Sequence, residues 1–216
     1  MSVDAGPARQ FHRALIRLFL IQFFSWSAMF SLWIYAVPLV AGNVLHLTPQ
    51  TAGGLAPAVV TVSLCFAAYA TLGVLGSFAL PVLIGRFGHS AVYGALLLVG
   101  ALGLGLLSTA HDAWLLAPAF AAIGAGWSAM GAMPYALLSK LVPPGRGAHY
   151  TRMFAFSTVL PQGVTTLLLA LFAERWFAFA LGRVIGIGAI AMALAGLLAL
   201  ASRDLFAPAD GVADDW

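Results

Sequence analysis

The feature that most constrains this sequence is a set of six long apolar stretches without a single aspartate or glutamate. Each has about the 18–25 residues that a helix needs to cross the ~30 Å hydrocarbon layer of a bilayer. Backbone in lipid must form helices or closed barrels, and these stretches lack the alternation of barrel strands. We therefore predict an all-α, polytopic membrane protein with six transmembrane helices, at residues 15–40, 55–84, 91–109, 114–138, 153–173 and 184–201.

The composition favours the same class. Hydrophobic residues make up 62% of the 216 residues and charged residues only 8%, which is too little polar surface for a soluble domain of this length. The single cysteine, Cys65, cannot form an intrachain disulfide, and the sequence predicts no catalytic residue, no metal and no cofactor. A signal peptide is a poor alternative for the first stretch, which is too long and contains Trp26 and Trp33.

The basic residues indicate how the chain is oriented. Most of the ten lysines and arginines precede the first stretch, follow the second and fourth, or follow the sixth, whereas the opposite side has only Arg175 and Arg183. Cytoplasmic loops carry such an excess of basic residues. We therefore predict a multi-pass protein of the cell (inner) membrane, with cytoplasmic tails at residues 1–14 and 202–216 and a transmembrane domain at 15–201.

A short internal repeat links the first and fourth stretches. A Trp-Ser-Ala-Met sequence starts at Trp26 and again at Trp127, and each copy is followed by a Tyr-Ala pair with a proline close by. The two copies lie three helices apart, so they run in opposite directions through the membrane. This is the arrangement of 3+3 inverted repeats in secondary transporters, whose substrates bind between the repeats near the midplane. The alternative is a chance match of four residues in an apolar sequence.

Polar and aromatic side chains share faces on three of the predicted helices. Hydroxyl or amide groups beside flat rings suit sugars, which offer hydroxyls for hydrogen bonds and C–H faces for stacking. The alternatives are core or interfacial use of the aromatic rings, close packing of the fourth helix through its glycines, and an interhelical hydrogen bond from the amide of the fifth. The candidate substrate-binding residues are Gln22, Ser25, Trp26, Trp33, Trp127, Tyr135, Thr158 and Gln162.

Pro134 and Pro161 are candidate structural or gating positions, because a proline inside a helix leaves a carbonyl one turn back without its donor. Together with the faces above, they complete a recognisable pattern. The chain resembles the C-terminal half of a major facilitator superfamily transporter, and is most similar to the sucrose/maltose:proton symporters of the glycoside–cation symporter group. The segments that carry the resemblance are 22–35, similar to that group's seventh helix, 126–136, similar to its tenth, and 143–162, similar to the following loop and the eleventh helix.

The resemblance implies a six-helix half domain that transports a sugar, with a disaccharide as the expected solute. It also implies structural roles for two loop arginines, Arg86 and Arg146. The loop signature departs from the family at Gly85, where an acidic residue is usual, and Ala155 stands where the sugar group has an asparagine.

The proton-coupling carboxylate of these symporters is expected in their first six helices, which have no counterpart in this sequence. All seven of the chain's own acidic residues fall in tails, loops or helix ends. A proton symporter needs a titratable group within the membrane. We therefore predict a transporter half that cannot couple sugar movement to protons by itself.

The predicted partners are the lipid bilayer, a small uncharged polar solute, and either an N-terminal half-transporter or a second copy in a homodimer, but no nucleic acid. An inactive truncated fragment and a self-associating six-helix facilitator or channel are the alternatives. We do not expect an enzyme. An intramembrane protease needs a serine and a histidine buried together, and no histidine lies in an apolar stretch.

Overall fold

A computed structural model describes residues 5–47, 53–142, 147–177 and 180–203, with side chains throughout except at 5–8 and 172–177. Within these residues the fold is all-helical, and six helices are long and apolar enough to span a membrane, which confirms the predicted class. A π-helical turn, Val40–Val44, extends the first helix, and a 3-10 turn, Ala113–Leu115, leads into the fourth. The helices are α1 Ala5–Leu39, α2 Ala56–Phe87, α3 His89–Ser108, α4 Leu116–Leu141, α5 Gly147–Phe177 and α6 Leu181–Leu200.

Several helices extend beyond the apolar stretches that predicted them. α1 begins at Ala5, within the expected tail, and α5 continues through 174–177, which we expected to form a loop. The connection between α2 and α3 is Gly88 alone, whose φ of 79° suits a residue without Cβ. The helices are longer than the apolar stretches because backbone hydrogen bonding does not stop where hydrophobicity stops. Polar side chains at a helix end reach headgroups and water while the helix continues.

Contacts between helices show that their directions alternate along the chain. Phe11 packs on Tyr150 and Phe19 on Phe154, so α1 and α5 run parallel. The Arg17 guanidinium donates a hydrogen bond of 2.9 Å to the carbonyl of Ala201, just after α6, so α1 and α6 run antiparallel.

The packing of the helices has an internal two-fold pattern. α3 packs on α6; α4 packs on α3 and α2; and α1 packs on α6 and α5. If α1, α2 and α3 are exchanged with α4, α5 and α6, in that order, the same set of contacting pairs results. With alternating directions, this pattern is compatible with a 3+3 inverted repeat. It leaves α2 and α5, the least buried spans, at the periphery.

Small residues allow the helices to approach closely. A Cβ on Gly124 of α4 would collide with the backbone carbonyl of Tyr69 on α2. A Cβ on Gly126 would lie 2.9 Å from the Cα of Gly100 on α3. Packing through small residues, which we weighed for the fourth helix, therefore accounts for these two glycines. It does not account for Gly131, where a Cβ would meet nothing within 4 Å.

Candidate functional site

Three tryptophans from α1 and α4 form a cluster, which we call the tryptophan cluster: Trp26, Trp33 and Trp127. The ring centroids lie 5.5 Å apart for Trp26 and Trp127, 5.7 Å for Trp33 and Trp127, and 6.0 Å for Trp26 and Trp33. The rings meet edge to face, with interplanar angles of 69–77°, an orientation that their quadrupoles favour. The structure thus brings together the first residues of the two repeat copies.

Two further rings extend this cluster, and our sequence predictions included neither as a site residue. Phe30 packs on Trp33 at 5.2 Å and on Trp26 at 5.9 Å. Tyr69 of α2 lies tilted over Trp127 at 6.0 Å. A phenol in the middle of an apolar stretch was the available signal for Tyr69, but no repeat or motif linked α2 to the tryptophans.

The cluster borders a cleft between α2 and α4. Trp127 and Tyr69 form part of the wall of this cleft, which has a volume of about 320 Å³. Two hydroxyls also line it. Ser77 donates to the carbonyl of Gly73 at 2.8 Å, and Ser128 donates to that of Ala125 at 2.7 Å. Because both protons are used within their own helices, these oxygens remain available only as acceptors. The complete lining is Tyr69, Ala70, Gly73, Val74, Ser77, Trp127, Ser128, Gly131 and Ala132.

The rings of the cluster differ in their access to the surroundings. Trp33 is 38% exposed, whereas Trp26 and Trp127 are half-buried. Trp33 is therefore the most accessible ring of the three.

Gln22 and Ser25, which we predicted on the same face as the tryptophans, contact α3 instead. Both are buried, and the Gln22 Oε1 accepts a hydrogen bond from the Tyr93 hydroxyl at 3.3 Å. The Ser25 hydroxyl donates to the carbonyl of Gln22 at 3.2 Å. The face divides within one turn of α1, because successive residues of a helix point ~100° apart: Ser25 lies with Gln22, whereas Trp26 packs on α4. We considered an interhelical hydrogen bond for the amide of Gln162. The structure shows such a bond at Gln22 instead.

Tyr135 belongs to a second aromatic group. Its ring packs edge to face on Phe154 of α5 at 5.5 Å, and Phe154 packs on Phe19 at 5.4 Å. Tyr135 is 46% exposed. It contributes an open aromatic edge, but its ring contacts are with α5 and not with the tryptophan cluster.

The remaining predicted residues on α4 and α5 lie in different surroundings. Thr158 is half-buried, and Gln162 is exposed, with no hydrogen bond to any described residue. Pro134 and Pro161 are buried inside α4 and α5, and both helices continue through them. Pro161 lines an apolar cleft between α5 and α1.

The charged candidates stand apart from the aromatic site. Arg86 is exposed in the last turn of α2, and Arg146 lies outside the described residues. No aspartate or glutamate falls within the six spans as they are bounded in the described chain, and Asp112 is exposed before the 3-10 turn. The described residues contain no group of three or more histidines, cysteines or acids that could hold a metal ion. The site offers rings and hydroxyls and no formal charge.

Comparison with known proteins gives no match to a protein-family model, to a curated protein or to a solved structure. The fold and the site define a six-helix membrane protein with an aromatic, uncharged cleft. What this cleft binds has to be argued from the chain's own residues.

Proposed function

We propose that this chain is half of a secondary transporter for a small uncharged polar solute, with a disaccharide as the preferred class. The observation that carries the proposal is the tryptophan cluster, in which Trp26 and Trp127 from the two repeat copies meet beside an open cleft. Binding between inverted repeats is the general design of secondary transporters.

The chemistry of the cleft favours a neutral, polyhydroxylated solute. The rings of Trp127 and Tyr69 offer flat apolar surface for the C–H face of a sugar, and the oxygens of Ser77 and Ser128 accept bonds from its hydroxyls. A charged solute would lose its hydration without a counter-charge in the cleft, and an uncharged solute avoids this cost.

One half domain supplies only one wall of a transport pathway. The partial exposure of Trp33 and Tyr135 is consistent with a second wall provided by an N-terminal half-transporter or by a second copy of this chain. Because the described spans hold no carboxylate, such an assembly takes its proton coupling from the partner, and a homodimer would be a facilitator. We place the protein in the cell (inner) membrane with both termini in the cytoplasm, as its basic residues predict.

Sucrose titration of the purified chain in lipid nanodiscs, followed by tryptophan emission, tests this proposal. We expect saturable quenching, and we expect Trp33→Ala to weaken the apparent affinity by about tenfold, because it removes a stacking ring. The matched control is Trp114→Ala, which removes a 72% exposed tryptophan on the turn before α4, away from the cluster.

Equal titrations for the two tryptophan variants would overturn the proposed site, and a complete lack of quenching by sucrose and maltose would overturn the proposed function. If the chain is an inactive fragment, a complete lack of quenching is the expected result. A self-associating channel predicts ion conductance in planar bilayers without solute binding. Gln162→Ala measures whether the exposed amide of α5 contributes to affinity.

A further inference from the structure

The indole nitrogen of Trp26 is buried and has no hydrogen-bond partner among the described residues. An indole N–H is only a donor, so it cannot be satisfied in any other way. Buried donors in folded proteins almost always have partners, and an exception calls for an explanation.

Among the residues whose side chains the structure describes, this exception is confined to the tryptophan cluster. Elsewhere on α1 the buried polar groups are paired: the Ser31 hydroxyl donates to Ala28 at 2.7 Å, and Gln22 accepts from Tyr93 at 3.3 Å. The rings in contact with Trp26 offer only π faces, which are weak acceptors. These rings are Phe30, Trp33 and Trp127.

We propose that the Trp26 N–H is the donor that selects the solute. This inference rests on the function proposed above. A hydroxyl oxygen of a neutral polyol accepts the hydrogen bond from Trp26 once the ring of Trp33 has turned aside. Trp33 is suited to that movement, because it is the exposed member of the cluster.

The unpaired donor also distinguishes between two classes of ligand. A group of tryptophans alone would suit an organic cation, which is attracted to the faces of aromatic rings. The positive end of an N–H dipole within the cluster opposes a cation and favours an oxygen acceptor. The site therefore prefers sugars and polyols to quaternary ammonium compounds.

Trp26→Phe tests the inference, because it keeps an aromatic ring and removes only the donor side of the indole. We expect sucrose affinity in nanodiscs to fall about tenfold. The midpoint of thermal unfolding should be unchanged or higher, because no buried donor is left unpaired. The matched control is Trp114→Phe, which also loses an indole N–H but at an exposed position away from the cluster, and whose affinity should stay within about twofold of the parent.

Nuclear magnetic resonance of the ¹⁵N-tryptophan-labelled chain provides a second readout that does not depend on a variant's stability. The indole resonance that is missing in Trp26→Phe belongs to Trp26. We expect sucrose to shift this resonance downfield and tetramethylammonium to leave it in place.

Three results would overturn the inference: no shift of this resonance with sucrose, a cross-peak between the Trp26 N–H and water before sucrose is added, or tighter binding of tetramethylammonium than of sucrose. Sucrose binding that depends on Trp33 and not on Trp26 would refute the inference and leave the proposed function standing. A chain that binds no sugar at all would refute the proposed function first.

Discussion

At the scale of single residues, two glycines seven positions apart on α4 lie in opposite surroundings. A methyl group on Gly124 would meet the backbone carbonyl of Tyr69, which cannot move aside as a flexible side chain could. A methyl group on Gly131 would meet nothing within 4 Å, because this residue borders the open cleft. The same residue type therefore allows close helix packing at one position and leaves free space at the other.

We accordingly expect Gly124→Ala to lower the free energy of unfolding by about 1–3 kcal/mol, because α2 must move away from α4. Gly131→Ala is the matched control and should leave that free energy unchanged or raise it by up to ~1 kcal/mol, since alanine is the better helix former. Denaturation of each variant in mixed micelles, followed by circular dichroism, measures the difference. Equal effects at the two positions would contradict the contact between α2 and α4.

At the scale of helices, α1 connects two regions with different chemistry. Its Gln22 bonds to Tyr93 on α3, and its Trp26 packs on Trp127 of α4. Polar groups within a bilayer are commonly paired between helices in this way, and each such pair contributes modestly to stability. Gln22 therefore helps to fix the position of α1 against α3.

A double-mutant cycle with Gln22→Leu and Tyr93→Phe should give a coupling energy of about 0.6 kcal/mol, and at most ~1.7 kcal/mol. Thr71→Val is a suitable control partner for Gln22→Leu, because the Thr71 hydroxyl bonds only within its own helix, at 2.8 Å to Ala67. Its coupling with Gln22 should be zero. Sucrose affinity should be unchanged in Gln22→Leu, and a large loss would show that Gln22 acts on the solute.

At the scale of the whole molecule, the helices alternate in direction, so successive connections between them lie at opposite ends of the bundle. The first half of α1 and the end of α6 meet where Arg17 bonds to Ala201, and Ser90 at the start of α3 bonds to Ala199 at that same end. The end of α3 lies against the start of α6 at the other end, where a Cβ on Gly182 would collide with Ser108.

Cysteine labelling tests this topology. In a Cys65→Ala background, a membrane-impermeant maleimide added to intact cells should label His111→Cys, after α3, and should label Ser139→Cys, near the end of α4, only after permeabilisation. Both parent residues are exposed, so access within the protein does not limit the reaction. Labelling of both variants from the same side would contradict the alternating helices, and the reversed pattern would contradict cytoplasmic termini.

The sequence by itself determined the class of the protein and the existence of its six helices. Apolar stretches of this length without acidic residues are stable in a bilayer as transmembrane helices. The repeated Trp-Ser-Ala-Met sequence also indicated which two helices correspond, and Trp26 and Trp127 do meet.

Only the tertiary structure decided which way each side chain turns. In a soluble helix the buried face is the apolar one, but lipid is as apolar as a protein interior, so a membrane helix carries little pattern that marks its packed face. Hence Gln22 pairs with Tyr93 and Gln162 stays exposed. Tyr69 contacts Trp127 for the same reason. Its neighbours depend on how helices that are distant in the sequence pack together, and local composition does not encode this packing.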